Sequence, residues 1–146
     1  LLGPHIDYDY NRQYALDQAR AMTVSDPTNA YAWFNLGTNL MYFGSYEDSA
    51  AAYDRARELG LPQRMLRYQF GPFITYFNLG RIDDLSALAD YALEITENSE
   101  EALLWKGWAL YRQGKRQEAI DSFQAALDAH PNYGDALYAI NYVYNN

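Results

Sequence analysis

The sequence predicts an all-α protein in which helix–turn–helix repeats stack into an α-solenoid. Two glycines recur as a pair along the chain, as Gly37 with Gly44, Gly71 with Gly80 and Gly107 with Gly114. The first glycine of each pair recurs after 34 and then 36 residues, and the second after 36 and then 34. A period near 34 residues is typical of paired helices that bury their apolar faces by stacking on neighbouring pairs.

Composition supports a folded chain and narrows its function. A chain of 146 residues is long enough to bury a hydrophobic core. Its residues are 49% hydrophobic and 21% charged, a composition too apolar for a disordered chain. The formal net charge of −8 argues against nucleic acids and anionic membranes, which need clustered Lys and Arg. The absence of cysteine excludes disulfides and thiolate metal sites, and no apolar run is long enough for membrane insertion.

The glycine in the middle of each first helix requires a physical reason. Glycine there costs about 0.5–1 kcal/mol relative to alanine. For Gly107 the expected reason is close contact, because a side chain would push apart the two helices of the repeat. Ala119 and Ala126 on the second helix fit the same interpretation. Gly44 and Gly114 are expected to end the first helices of their repeats.

The recurring residues resemble the tetratricopeptide repeat, whose motif runs Trp, Leu-Gly, Tyr, then Ala, an aromatic residue, Ala and Pro. The matching positions are Trp33, Leu36, Gly37, Gly44, Tyr53 and Ala56; Phe70, Gly71, Gly80, Ala89 and Ala92; and Leu103, Gly107, Gly114, Ala119, Phe123, Ala126 and Pro131. Five positions depart from the pattern. Ser49 and Leu85 stand in place of Ala, Arg67 and Lys106 stand at apolar positions, and Asn141 replaces the last mid-helix glycine.

The phase of the repeats predicts one domain over residues 1–146, which we interpret as a fragment of a longer protein. The expected parts are an N-terminal half repeat at 8–26, repeats at 28–61, 62–97 and 98–131, and a C-terminal half repeat at 132–146. Seven main helices are expected. Pro72 falls within the first helix of the second repeat, so a kink is expected near Gly71-Pro72 in an unusually long helix.

The resemblance implies that the first helix of each repeat lines a concave groove, which would bind a protein or peptide segment supplied in cis or in trans. The residues that this phase places in the groove are Tyr31, Phe34, Thr38, Met41, Tyr42, Met65, Tyr68, Phe77, Glu101, Leu104, Trp108, Tyr111, Arg112, Asp135, Tyr138 and Tyr142. This surface is aromatic and weakly charged, which suits an apolar or extended segment. Phe34 and Thr38 replace the Lys and Asn of modules that clamp a peptide carboxylate. The alternative is that individual rings pack in the core.

The two ends of the chain expose further apolar side chains. Tyr10 and Tyr14 belong to a helix near residues 9–24 that has no partner helix before it. At the other end Tyr138, Tyr142 and Tyr144 lack a polar capping helix. Such surfaces indicate contacts, either with an adjacent domain or between copies in a weak homo-oligomer.

No catalytic residue, cofactor or metal site is expected, and the chain alone is not expected to be an enzyme. His5 and His130 belong to no ligand or catalytic motif. The acidic pairs Glu47-Asp48, Asp83-Asp84 and Glu100-Glu101 stand at predicted helix starts. Negative charge there complements the helix dipole, which explains these pairs without acid–base chemistry.

A second resemblance concerns the segment Gly60–Pro72 and the lead-ins Tyr10-Asn11-Arg12 and residues 30–37. These look like the repeat region that follows a papain-like cysteine peptidase domain in some bacterial proteins, where the peptidase is similar to those that cleave double-glycine leader peptides. The resemblance implies an upstream catalytic domain, docking in cis and an extracytoplasmic or cell-surface location. Three functions stay open: a binding scaffold, a cis-docking peptidase domain and a self-associating solenoid.

Overall fold

The protein is all-α throughout the part that the computed structural model describes, residues 4–62, 65 and 69–146, with side chains from residue 10 onward. The eight helices of this part are α1 (Pro4–Ser25), α2 (Ala30–Tyr42), α3 (Tyr46–Glu58), α4 (Gly71–Leu79), α5 (Ile82–Thr96), α6 (Glu100–Arg112), α7 (Arg116–Ala129) and α8 (Gly134–Asn145). This is one helix more than the seven expected from the sequence. The helices fall into two compact units, Leu1–Met65 and Leu66–Asn146.

Unit 1 contains α1, α2 and α3. Leu16 of α1 packs in one buried cluster with Leu36 and Leu40 of α2. A second cluster joins Phe34 of α2 to Tyr53 of α3, whose ring centroids lie 5.1 Å apart. The helix pair α2–α3 is therefore held by apolar burial, with α1 covering the other side of α2.

Unit 2 contains α4 to α8, and its core runs along α6, α7 and α8. Leu104, Phe123, Ala126, Ala139 and Val143 are buried together there. Side chains from α4 and α5 are also fully buried, among them Phe73, Tyr76 and Leu85.

The predicted close contact at the mid-helix glycines is confirmed in both units. A Cβ atom placed on Gly107 would lie 2.4 Å from Cε1 of Phe123 on the partner helix. The same atom on Gly37 would lie 2.7 Å from Cδ1 of Tyr53. In the first and third repeats, an aromatic ring of the second helix fills the space that the glycine leaves on the first helix.

The predicted turn glycines also end their helices. Gly44 follows α2 with φ of 73°, and Gly114 follows α6 with φ of 80°. This left-handed conformation is strained for residues with a Cβ, which explains glycine at both positions.

The second repeat differs from the expectation of a kinked helix. Helix α4 begins at Gly71, so this glycine is not in mid-helix, and Pro72 lies in the first turn. Proline fits there because the first-turn N–H groups have no intrahelical acceptor. The expected kink is thus replaced by a helix start after Phe70, whose ring packs on Phe73 at 5.4 Å. Arg67 lies outside the described residues.

Two departures from the repeat pattern have structural explanations. Ser49 is fully buried, and its hydroxyl donates a hydrogen bond of 2.7 Å to the carbonyl oxygen of Gly37. Lys106 extends to α5, where its Nζ lies 2.7 Å from Oδ1 of Asp90 and 3.3 Å from Oγ of Ser86. Its aliphatic stem can cover apolar surface while the ammonium group is paired.

Substitution of Gly107 by alanine should destabilise the protein by about 1–2 kcal/mol. Overpacking against Phe123 costs about 1–3 kcal/mol, and the better helix propensity of alanine returns only about 0.5–1 kcal/mol. Gly134→Ala is the control, because a Cβ there meets no atom within 4 Å. Urea unfolding measures both variants, and a Gly107→Ala protein as stable as the control would contradict the predicted contact.

Candidate functional site

Helices α4, α6 and α8 of unit 2 line a groove with a volume of about 530 Å³. Rings dominate its surface, and the only charged side chains are one arginine and one aspartate. The lining residues are Ile74, Phe77, Leu104, Trp105, Trp108, Tyr111, Arg112, Asp135, Tyr138 and Tyr142.

Trp108 is the central ring of this groove. Its centroid lies 5.8 Å from Phe77 of α4 and 5.7 Å from Tyr142 of α8. On its other side it meets the core ring of Phe123 at 5.1 Å. Because rings from three other helices pack on it, Trp108 is oriented by its neighbours and is half-buried between the core and the groove.

The outer part of the groove is made by tyrosines that face solvent. Tyr138 is 64% exposed, and its ring contacts that of Tyr142 at a centroid distance of 6.2 Å. Tyr142 in turn meets Tyr111 of α6 at 6.0 Å. These rings offer apolar faces and hydroxyl groups to a ligand at the same time.

Charged groups stand at the two ends of α6. In its last turn the Arg112 guanidinium lies over the Phe77 ring, 5.3 Å from the centroid. In its first turn, burial raises the pKa of Glu101, and the negative charges of Asp135 and Glu100 add to this. The neighbouring Tyr133 and Trp105 side chains oppose the rise in pKa.

The donors beside Glu101 are incompletely satisfied. Trp105 Nε1 and Tyr133 Oη are buried, and neither makes a hydrogen bond of regular geometry within the described residues. Burial, followed by the proximity of the Glu101 carboxylate, raises the pKa of Tyr133 well above its usual range. Glu101 is therefore a partly desolvated carboxylate whose two neighbouring donors, on Trp105 and Tyr133, do not fully compensate its loss of hydration.

The structure brings together nearly all of the residues that the repeat phase assigned to a groove in unit 2. Phe77, Leu104, Trp108, Tyr111, Arg112, Asp135, Tyr138 and Tyr142 line it, whereas Glu101 lies beside it next to Trp105 and Tyr133. Sequence reasoning missed Ile74 and Trp105. Trp105 precedes Trp108 by one helical turn, so the spacing on α6 could have identified it.

The residues assigned to the groove in unit 1 have other roles. Phe34 is only 4% exposed, so its assignment to a binding surface is wrong, because this face of α2 packs against α3. The Thr38 hydroxyl lies 2.8 Å from that of Tyr53, and Met65 packs on the Phe34 cluster. Tyr31 is exposed and Met41 is partly buried.

A separate groove of about 370 Å³ in unit 1 lies between α1 and α2, lined by Asn11, Arg12, Ala15, Asn39, Tyr42 and Phe43. The Arg12 guanidinium lies over the exposed Tyr42 ring, 5.2 Å from its centroid. Tyr68, also assigned to a groove, lies outside the described residues.

The fold and the comparisons define the class of protein. Helix pairs closed by glycine–ring contacts make the chain a helical-repeat α-solenoid. Two family models described as tetratricopeptide repeat match residues 13–60 and 100–133. The chain therefore carries tetratricopeptide repeats in both units, as the sequence pattern predicts.

Solved structures of low sequence identity share this fold. YrrB, described as a tetratricopeptide-repeat protein with an unusual peptide-binding site, is 20% identical to this chain, with a TM-score of 0.76. The alignment covers 96% of this chain and 71% of the YrrB chain. MamA is 15% identical, with a TM-score of 0.78 over 99% and 84%. The first such domain of Spaghetti (RPAP3), bound to the HSP90 peptide SRMEEVD, is 16% identical, with a TM-score of 0.67 over 82% and 94%.

No protein of curated function matches the sequence. None of the family models or similar structures supports the resemblance to a region that follows a papain-like peptidase. In the described part of the chain, no group of three or more His, Asp or Glu side chains is placed to hold a metal ion. Among the helices described, none has the length and apolar character needed to cross a membrane.

The stability of the protein should depend on pH through Glu101. Its folded pKa lies above the unfolded value of about 4.3, so between these values the folded state holds a proton that the unfolded chain releases. Stability from this group is therefore lost as pH rises through the window. We therefore expect the melting temperature of Glu101→Gln, relative to that of the unsubstituted protein, to be higher at pH 7 than at pH 4. A difference in melting temperature between the two proteins that is the same at pH 4 and pH 7 would contradict this prediction.

Proposed function

We propose that this chain is a non-catalytic scaffold module that binds an extended protein or peptide segment in the aromatic groove of unit 2. The observation that carries the proposal is the row of accessible rings from Trp108 through Tyr142 to Tyr138 around one open cavity. Its volume of about 530 Å³ lies in the range of roughly 300–1,000 Å³ typical of ligand pockets.

The rings suit this role because of their energetics. Tyrosine and tryptophan supply a large contact area while losing little side-chain entropy, and they are enriched among residues that dominate binding. Trp108 and Tyr142 are already oriented by their ring neighbours, so binding does not need to order them. A preorganised surface of this kind lowers the entropic cost of association.

Two of the similar structures support peptide binding as the function. YrrB is described as having a peptide-binding site, and the Spaghetti domain holds an HSP90 peptide. Their identity to this chain is at most 20%, so the likeness concerns the fold, and the ligand is a matter for experiment. The groove of this chain carries its own set of rings and charges, and these define the ligand that we propose.

The parent reading frame distinguishes a segment supplied by the same polypeptide from one supplied by another protein, and this frame can be sequenced. The hypothesis of a cis-docking peptidase domain predicts a papain-like Cys/His domain encoded upstream of Leu1, with the bacterial cell-surface location that it implies. A reading frame without such a domain would reject the hypothesis and leave binding in trans.

Tyr138→Ala should weaken peptide binding about tenfold, because the substitution removes an exposed ring from the groove and leaves the core intact. Tyr144→Ala is a matched control, since Tyr144 is also on α8 and 62% exposed but does not line the groove. Peptides selected from a random display library on the unsubstituted chain provide the ligands, and fluorescence anisotropy measures their affinity.

The comparison of these two tyrosine variants decides the proposal. Selected peptides that lose affinity for Tyr138→Ala and keep it for Tyr144→Ala would support binding in the groove. Equal affinity for both variants, or failure to enrich any peptide, would contradict it.

A further inference from the structure

The groove of unit 2 has ends of opposite charge. Tyr133, which precedes α8, interacts with Glu101 in the first turn of α6, and Asp135 acts on the same carboxylate. At the other end Tyr142 of α8 meets Tyr111 of α6. The two helices therefore run in the same direction along the groove, with the carboxylates at their starts and Arg112 in the last turn of α6.

We propose that this groove selects an extended segment with a basic side chain at one end and an acidic side chain about five residues away, joined by apolar residues. The inference rests on the proposed function and specifies its ligand. Asp135, which lines the groove, together with the neighbouring Glu101 would receive the basic group. The rings around Trp108 would receive the apolar residues, and Arg112 the acidic group.

The spacing follows from helix geometry. Glu101 and Arg112 are 11 positions apart on α6. At 1.5 Å per residue they are separated by roughly 16 Å along the helix axis. An extended peptide advances by about 3.3 Å per residue, so about five residues cover this distance.

Among the described residues, no positive charge acts on Glu101 at the acidic end. Burial disfavours the ionised form of Glu101. Two charged groups act on this carboxylate, namely Asp135 and Glu100, and both are negative. A cation placed there would relieve this repulsion in a partly desolvated position, where Coulomb interactions are stronger than in bulk water. The ammonium or guanidinium group of a ligand is the complement of this end.

The other end offers an available cation. Arg112 lies over the Phe77 ring, and no carboxylate of the described residues forms an ion pair with it. A guanidinium stacked on a ring is partly preorganised and keeps edge N–H donors for a carboxylate. Apolar residues are required between the charges, because the lining between the two ends consists mainly of rings.

Charge also decides between this ligand and other occupants. A second copy of the chain carries a net charge of −8, so association of two copies is opposed by their mutual repulsion. A uniformly acidic peptide would place like charge against Glu101 and Asp135. A segment with one basic and one acidic end complements both ends of the groove.

The test uses the full chain and four short fluorescein-labelled peptides whose termini are acetylated and amidated. The first has lysines at one end, a central stretch of leucine and phenylalanine, and glutamates at the other end, with the charges five residues apart. In the second peptide the lysines are replaced by glutamine. In the third peptide the glutamates are replaced by glutamine, and in the fourth peptide both the lysines and the glutamates are replaced by glutamine. We expect the first peptide to bind about fivefold more tightly than the second or third.

The double variant Glu101→Gln with Asp135→Asn should weaken binding of the first peptide about tenfold and leave the lysine-free peptide unaffected. The control is Asp121→Asn with Asp128→Asn, two exposed acids of α7 outside the groove lining. It changes the net charge equally, so it separates a local contact from the field of the whole chain. Anisotropy titrations at two salt concentrations measure all combinations.

Equal affinity of the four peptides, equal weakening by both double variants, or no binding of any of the four would overturn this inference. The proposed function is judged separately, by library-selected peptides and Tyr138→Ala. Selected peptides that depend on Tyr138 but carry no such charge pattern would leave the function standing and reject its charge selectivity. A Tyr138-independent result would reject both.

Discussion

Contact between a mid-helix glycine and an aromatic ring of the paired helix determines how closely the helices of a repeat pack in both units. Gly107 accepts the Phe123 ring and Gly37 accepts the Tyr53 ring, each at a distance that leaves no space for a methyl group. The cost of glycine in a helix is offset by the burial of a whole ring. This close approach sets the packing of α2 on α3 and of α6 on α7.

The same contact supports the candidate site. Phe123 fills the space beside Gly107, and its ring also packs on Trp108 from the core side, with the ring centroids 5.1 Å apart. Trp108 then orients Phe77 and Tyr142, which lie on two other helices. The groove is thus an extension of the core, in which successive rings become more exposed from Phe123 through Trp108 to Tyr138. A ligand that covers the outer rings would continue the packing already present inside.

The two ends of this apolar groove carry opposite charges. Most acidic side chains that the structure describes are exposed, but Glu101 is partly buried beside two donors that compensate it incompletely. Arg112 stands at the opposite end of the same helix, on the ring of Phe77. Apolar contact supplies most of the affinity in such a site, whereas the charges determine which ligands fit and in which orientation.

The repeat period, the all-α class, the turn glycines and the stripe of α6 that lines the groove could all be predicted from the sequence, because each depends on local chemistry or on helical spacing. Tertiary structure decided which rings are accessible. Phe34 and Tyr138 have equivalent apolar character in the pattern, yet Phe34 is buried against α3 and Tyr138 is 64% exposed. It also decided that α4 begins at Gly71, and that Glu101 lies next to Tyr133 of another helix. Helical phase specifies the direction of a side chain, but its burial and pKa depend on what distant segments place against it.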